Sequence, residues 1–122
     1  MKITKIFFQI INILFLILYL YPGSILGFVV YNDFSKQPQV TPDFYFSSNH
    51  VYAFIVLTLF GLISHINKKN IIIYFIFLSF FLELSHFVIP NRSFQFEDLF
   101  GNILGVLISI LILKIYFYLE KK

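Results

Sequence analysis

A glutamate and a histidine three positions apart, Glu83 and His86, interrupt an otherwise apolar run. On a helix that spacing puts both side chains on one face, where the carboxylate can hold the imidazole as a cation or fix its tautomer. Counting back from Ile89 at 1.5 Å per residue sets Glu83 roughly 9 Å below the end of its helix. An ionised carboxylate at that depth in hydrocarbon costs on the order of 3 kcal/mol, so it must face other helices, find a partner or stay protonated. Such an acid is a functional candidate by default. The chemistry it offers is general-base catalysis by Glu83, with His86 or His50 carrying the proton.

Further polar residues cluster at the same level of the chain. Arg92 follows Pro90 and can reach back to Glu83 or forward to Glu97 and Asp98, which open the next apolar block. Both acids suit the positive end of a helix dipole. Asn102, four residues after Asp98, continues its face, and His50 opens an earlier block. His50, Glu83, His86, Arg92, Asp98 and Asn102 thus form a candidate ligand-binding set near one membrane surface. Plainer roles compete with each: Glu97 caps a helix in solvent, Asn102 glues helices together, and Glu83 forms a structural bridge to Arg92. Gly101, Gly105 and Ser109 make a small-residue stripe for close helix contact, within the chain or between copies of it. No two histidines share a tight helical spacing, so no metal site is expected, and no cofactor motif is present. Ser85 and Ser93 lie near His86 in sequence, but no nucleophile elbow accompanies them.

The elements that must position these residues are read from the apolar blocks. Hydrophobic residues make up 59% of the 122 positions against 12% charged, with mean hydropathy +0.86, which excludes a water-soluble domain. Four helices are expected at about 6–22, 50–66, 71–89 and 97–118, each long enough to cross a bilayer. The first stops at Pro22-Gly23; a cleaved leader is the rival reading, but no small-x-small site follows. The stretch 25–31 is too short to span, and is expected to lie at the interface or to extend a helix kinked at Pro22. The stretch 32–49, with its prolines and charges, reads as the longest loop. There is no cysteine, which removes disulfides and thiolate metal sites.

Orientation follows from the basic residues. Lys2, Lys5, Lys68, Lys69, Lys114, Lys121 and Lys122 fall on one side and Lys36 and Arg92 on the other, so both ends are expected in the cytoplasm. The same scatter explains the net charge of +3 without a nucleic-acid partner. The expected fold is all-α: a single domain over 1–122, a bundle of four transmembrane helices in the cytoplasmic membrane.

The stretch Glu83-Leu-Ser-His86-Phe-Val-Ile-Pro90-Asn-Arg92, continued by Glu97-Asp98-Leu-Phe-Gly-Asn102-Ile-Leu-Gly105, resembles the signature of VanZ-like membrane proteins. Glu83, Pro90, Arg92, Asp98, Asn102 and Gly105 match position by position. Tyr21-Pro22-Gly23-Ser24 and His50-Val-Tyr52-Ala53 extend the resemblance over nearly the whole chain. His86 stands where the family usually has Gln, and Ser47 and Asn49 occupy a stretch where members commonly carry Asp and Lys. The resemblance implies a four-helix protein of the cytoplasmic membrane, with some members associated with low-level resistance to glycopeptides such as teicoplanin. Together with the polar set it suggests binding of an anionic lipid headgroup or a lipid-linked cell-envelope intermediate. An enzyme acting on a lipid-anchored substrate through Glu83 ranks second, and a structural subunit held by Gly101 and Gly105 third.

Overall fold

In the computed structural model, which describes residues 2–122, the chain forms five α-helices and, among the described residues, no strand. They are α1 Lys2–Leu20, α2 Ile25–Tyr31, α3 Ser48–Ser64, α4 Lys68–Ser85 and α5 Phe96–Glu120. By length and composition α1 and α5 could each cross a membrane.

Each boundary has a local cause. Helix α1 ends at Leu20, before Pro22 and Gly23, the latter at φ +139. The stretch 25–31 is not a kinked continuation of α1 but a separate helix with its own caps. Ser24 Oγ accepts from the Gly27 N–H at 2.9 Å, and Asn32, at φ 54, donates its backbone N–H to the carbonyls of Gly27 and Phe28. An αL residue at this end satisfies carbonyls that a helix otherwise leaves open. Lys68 Nζ donates to the carbonyls of His65, at 2.6 Å, and Leu62, closing the end of α3. Asn67 caps α4 through the Asn70 N–H at 3.2 Å. Helix α4 stops at Ser85, short of the expected Ile89. The chain then tightens through turn bonds such as Val88 N–H to the Ser85 carbonyl, because Pro90 cannot continue a helix.

Helix α3 is the hub and packs most extensively on α5. A Cβ on Gly105 would lie 2.7 Å from Phe54 Cβ and from the Val51 carbonyl oxygen, and one on Gly101 would lie 2.9 Å from the Ser47 carbonyl oxygen. The small-residue stripe is therefore occupied by α3 of the same chain, and a second copy could use it only by displacing α3. Ser109 extends the contact by donating to the Ile55 and Gly105 carbonyls. The buried core of Phe8, Phe54, Leu57, Phe75, Leu82 and Val106 joins α1, α3, α4 and α5.

The bundle is apolar outside and partly polar inside. Ile3 (72%), Val88 (83%) and Phe77 (66%) are among many exposed large hydrophobic residues, whereas Thr58, Ser64, Ser79, Glu83, Asn102 and Ser109 are fully buried.

Candidate functional site

The end of α1, the start of α3, the end of α4 and the start of α5 meet at one end of the bundle and carry the predicted polar residues. Glu83, on the last turn of α4, is fully buried. Its Oε1 accepts from the Gln95 N–H at 2.9 Å, ahead of α5, and lies 3.3 Å from His86 Nδ1. His86 Nε2 lies 3.1 Å from the Tyr19 carbonyl oxygen, which can only accept, so Nε2 carries a proton. The contact between Nδ1 and Oε1 is an ion pair when the imidazole is charged.

His50, in the first turn of α3, sits across from these two. Its Nδ1 lies 2.8 Å from the amide oxygen of Asn102, again an acceptor, so Nδ1 is the protonated nitrogen. Nε2 then faces Asp98 Oδ2 at 3.6 Å. The edge of the Tyr19 ring packs on the imidazole with centroids 4.9 Å apart. Two buried polar atoms here lack a hydrogen-bond partner, Glu83 Oε2 and Asn102 Nδ2.

Arg92 departs from the expected pairing. It makes no salt bridge to Glu83, Glu97 or Asp98; among the described residues the ion pairs are His50–Asp98 and His86–Glu83. Its Nε donates to the Tyr21 carbonyl at 3.0 Å, and its Nη2 to those of Leu18 at 2.9 Å and Gly23 at 2.7 Å. Arg92 thereby caps the carbonyl end of α1, where a cation is favoured by the dipole as well. Burial draws this guanidinium below its ordinary pKa, against the raising influence of Asp98 and Glu83. Glu97 is exposed, as a solvent-facing helix start requires.

Beside this cluster lies a cavity of about 960 Å³, lined among others by Tyr19, Ser24, Gln37, His50, Arg92 and Asp98. Glu83 and Asn102 stand behind this wall. The far side of the cavity is built from the stretch between α2 and α3, which is folded back rather than loose. Ser24 donates from its N–H to the Phe34 carbonyl at 2.8 Å and from Oγ to Gln37 Oε1 at 2.7 Å. Phe28 and Phe34 stack at 4.4 Å, Asn49 Nδ2 donates to the Pro38 carbonyl at 2.6 Å, and the Ser48 N–H donates to Asp43 at 2.9 Å. Sequence reasoning missed Tyr19, Ser24 and Gln37; only the N-cap position of Ser24 carried a local signal.

The sequence model of the VanZ/LLP1 family matches residues 2–117 of the 122. No curated protein and no solved structure matches the chain. The chain belongs to the VanZ/LLP1 family.

Proposed function

We propose that this VanZ/LLP1 protein is a single four-span domain of the cytoplasmic membrane, with both ends inside, whose outer-end cavity binds an anionic lipid headgroup or a lipid-linked cell-envelope intermediate. The four-span reading assigns α1, α3, α4 and α5 to the bilayer. It is supported by the inversion of polarity, with aliphatic and aromatic side chains outward and hydroxyl, amide and carboxyl groups inward, as a chain dissolved in hydrocarbon requires. The topology rests on the basic residues, and sets the cavity and Arg92 on the outer side.

The observation that carries the ligand reading is the cavity itself, about 960 Å³ with His50, Arg92 and Asp98 in its wall. Two long helices, α3 and α5, begin beside it, and the partial positive charge of their first turns favours an anion. Arg92 has committed Nε and Nη2 to carbonyls, and Nη1 is the guanidinium nitrogen left for a ligand. A wall-precursor lipid in this cavity would connect the chain to glycopeptide resistance. The enzymatic alternative needs Glu83 to reach a substrate, yet Glu83 lies behind the wall with Oε1 engaged.

The test is thermal stability of the purified chain in neutral detergent with phosphatidylglycerol, a polyprenyl phosphate or phosphatidylcholine. The two anionic lipids should raise Tm, and phosphatidylcholine should not. Ala53→Trp, which fills the cavity from α3, should abolish the rise while leaving the ligand-free Tm near that of the parent. Equal effects of all three lipids, or an unchanged response in the filled variant, would sink the proposal.

A further inference from the structure

We propose that His50, Glu83 and Asp98 form a binding site for one divalent first-row transition-metal cation, such as Zn²⁺ or Mn²⁺. The site goes beyond the lipid reading and does not depend on it. One ligand atom from each residue lies within 4.8 Å of the others, although the three come from α3, α4 and α5. Spacing along the chain therefore carries no trace of the site, which is why no metal was expected from it.

Two features besides proximity favour a cation. The first is the histidine tautomer. Asn102 Oδ1 lies 2.8 Å from Nδ1 of His50; with the proton on that nitrogen alone, the Nε2 lone pair faces Asp98 Oδ2 at 3.6 Å. Two electron-rich atoms facing each other need positive charge between them. An acceptor oxygen on the far ring nitrogen is the arrangement that orients imidazole ligands toward a metal. The second is Glu83. Its Oε1 is taken by the Gln95 N–H and His86, while Oε2 is buried with no donor on a side chain that is 0% exposed. A carboxylate oxygen without a partner in such surroundings is costly, and coordination removes that cost.

Distances and donors select the class. A tetrahedral ion with bonds of about 2.0–2.2 Å sets neighbouring ligand atoms about 3.3–3.6 Å apart. The His50–Asp98 pair already has that span, and a separation at the 4.8 Å limit must shorten by about 1.2–1.5 Å to meet it. One nitrogen and two oxygens suit Zn²⁺ or Mn²⁺ better than Ca²⁺, which takes six to eight oxygens. Three protein ligands leave a coordination position open, as in sites where a metal meets water or substrate. His50 and Asp98 line the cavity, so an oxyanion entering there would meet the ion.

The test is uptake of Zn²⁺ and Mn²⁺ by the chelator-stripped, lipid-free chain in neutral detergent, measured by dialysis with elemental analysis and by the electron-spin resonance of Mn²⁺. One ion per chain should bind. His50→Gln and Asp98→Asn should each weaken binding at least about 100-fold, and Asn102→Leu, which acts through His50, about 10–100-fold. Glu83→Gln also touches the packing of Gln95, so its folding is checked by Tm, and if it unfolds the proposal stands or falls on the His50 and Asp98 variants. No stoichiometric uptake would leave a simple His50–Asp98 ion pair and overturn the proposal. Uptake unaffected by His50→Gln and Asp98→Asn, or preference for Mg²⁺ or Ca²⁺ over both probes, would overturn it equally. Lipid-induced Tm shifts without metal uptake would refute the cation site alone, and metal uptake without lipid shifts would refute the lipid reading alone.

Discussion

Replacing Arg92 with lysine separates a capping residue from a ligand anchor. Lysine keeps the positive charge but not the planar fork, and one ammonium group cannot reproduce the set made by Nε to Tyr21 and Nη2 to Leu18 and Gly23. Hydrogen bonds to a charged group contribute about 1.5–3 kcal/mol each. Losing two of the three would sum to about 3–6 kcal/mol. Arg92 is only half-buried, so water replaces part of what is lost, and the expected cost is about 2–4 kcal/mol. The assay is reversible unfolding of the purified chain in mixed micelles, with hydrogen exchange along α1 as a local readout. Exchange should rise at Ile17–Tyr21 first, because those residues bear or adjoin the uncapped carbonyls. A loss under about 1 kcal/mol, with α1 exchange unchanged, would show that the capping contacts do not hold the helix end and that the geometry has been misread.

Gly105→Ala should destabilise the bundle by about 1–3 kcal/mol, since its Cβ would lie 2.7 Å from the Val51 carbonyl oxygen and Phe54 Cβ; an unfolding midpoint equal to the parent's would contradict the α3–α5 packing. Gly27→Ala should release the 32–49 stretch, because its Cβ would overlap the Lys36 carbonyl oxygen. Limited proteolysis should then cut within that stretch, and resistance like the parent's would count against the folded-back wall. Ser24→Ala should cost about 0.5–2 kcal/mol as a lost N-cap, read as faster exchange in α2 and around Gln37, whose side chain Ser24 Oγ also bonds; global destabilisation without that local signal would contradict the assignment. The chain has no native cysteine, so Lys36→Cys and Lys121→Cys can be labelled cleanly. An impermeant thiol reagent added to intact cells should reach the first and not the second, and the opposite pattern would invert the proposed topology.

How much of this was legible in the sequence divides by the kind of interaction. The long helices were visible because an apolar block bounded by Pro22, Asn67 or Pro90 has few alternatives. Their ends shifted by a few residues where a turn, as after Ser85, tightens rather than stops. Glu83 with His86 was visible because three-residue spacing on a helix is a geometric fact. The partner of Arg92 was not. Charge complementarity pointed to Glu83 or Asp98, but the acceptors are main-chain carbonyls of α1 and the turn after it, and every residue carries one. The pairing of His50 with Asn102 and Asp98 was out of reach for a related reason: it depends on how α3 lies on α5. The same packing turned the Gly101/Gly105 stripe inward. The folded-back stretch after α2 is held mainly by serine, asparagine, glutamine and aspartate side chains on local partners, and composition alone reads such residues as solvent-exposed.

The carbonyl end of α1 is closed largely from far along the chain, by His86 at a separation of 67 residues and by Arg92 at 69 to 74. During synthesis that end emerges long before its partners exist. On the proposed four-span reading, the first helix would enter the bilayer before the side chains that close its last carbonyls have been made. Chains halted before residue 86 would pack the opening helix on α3 but leave its last carbonyls without these donors, which makes the polar turn between α4 and α5 the latch of that end.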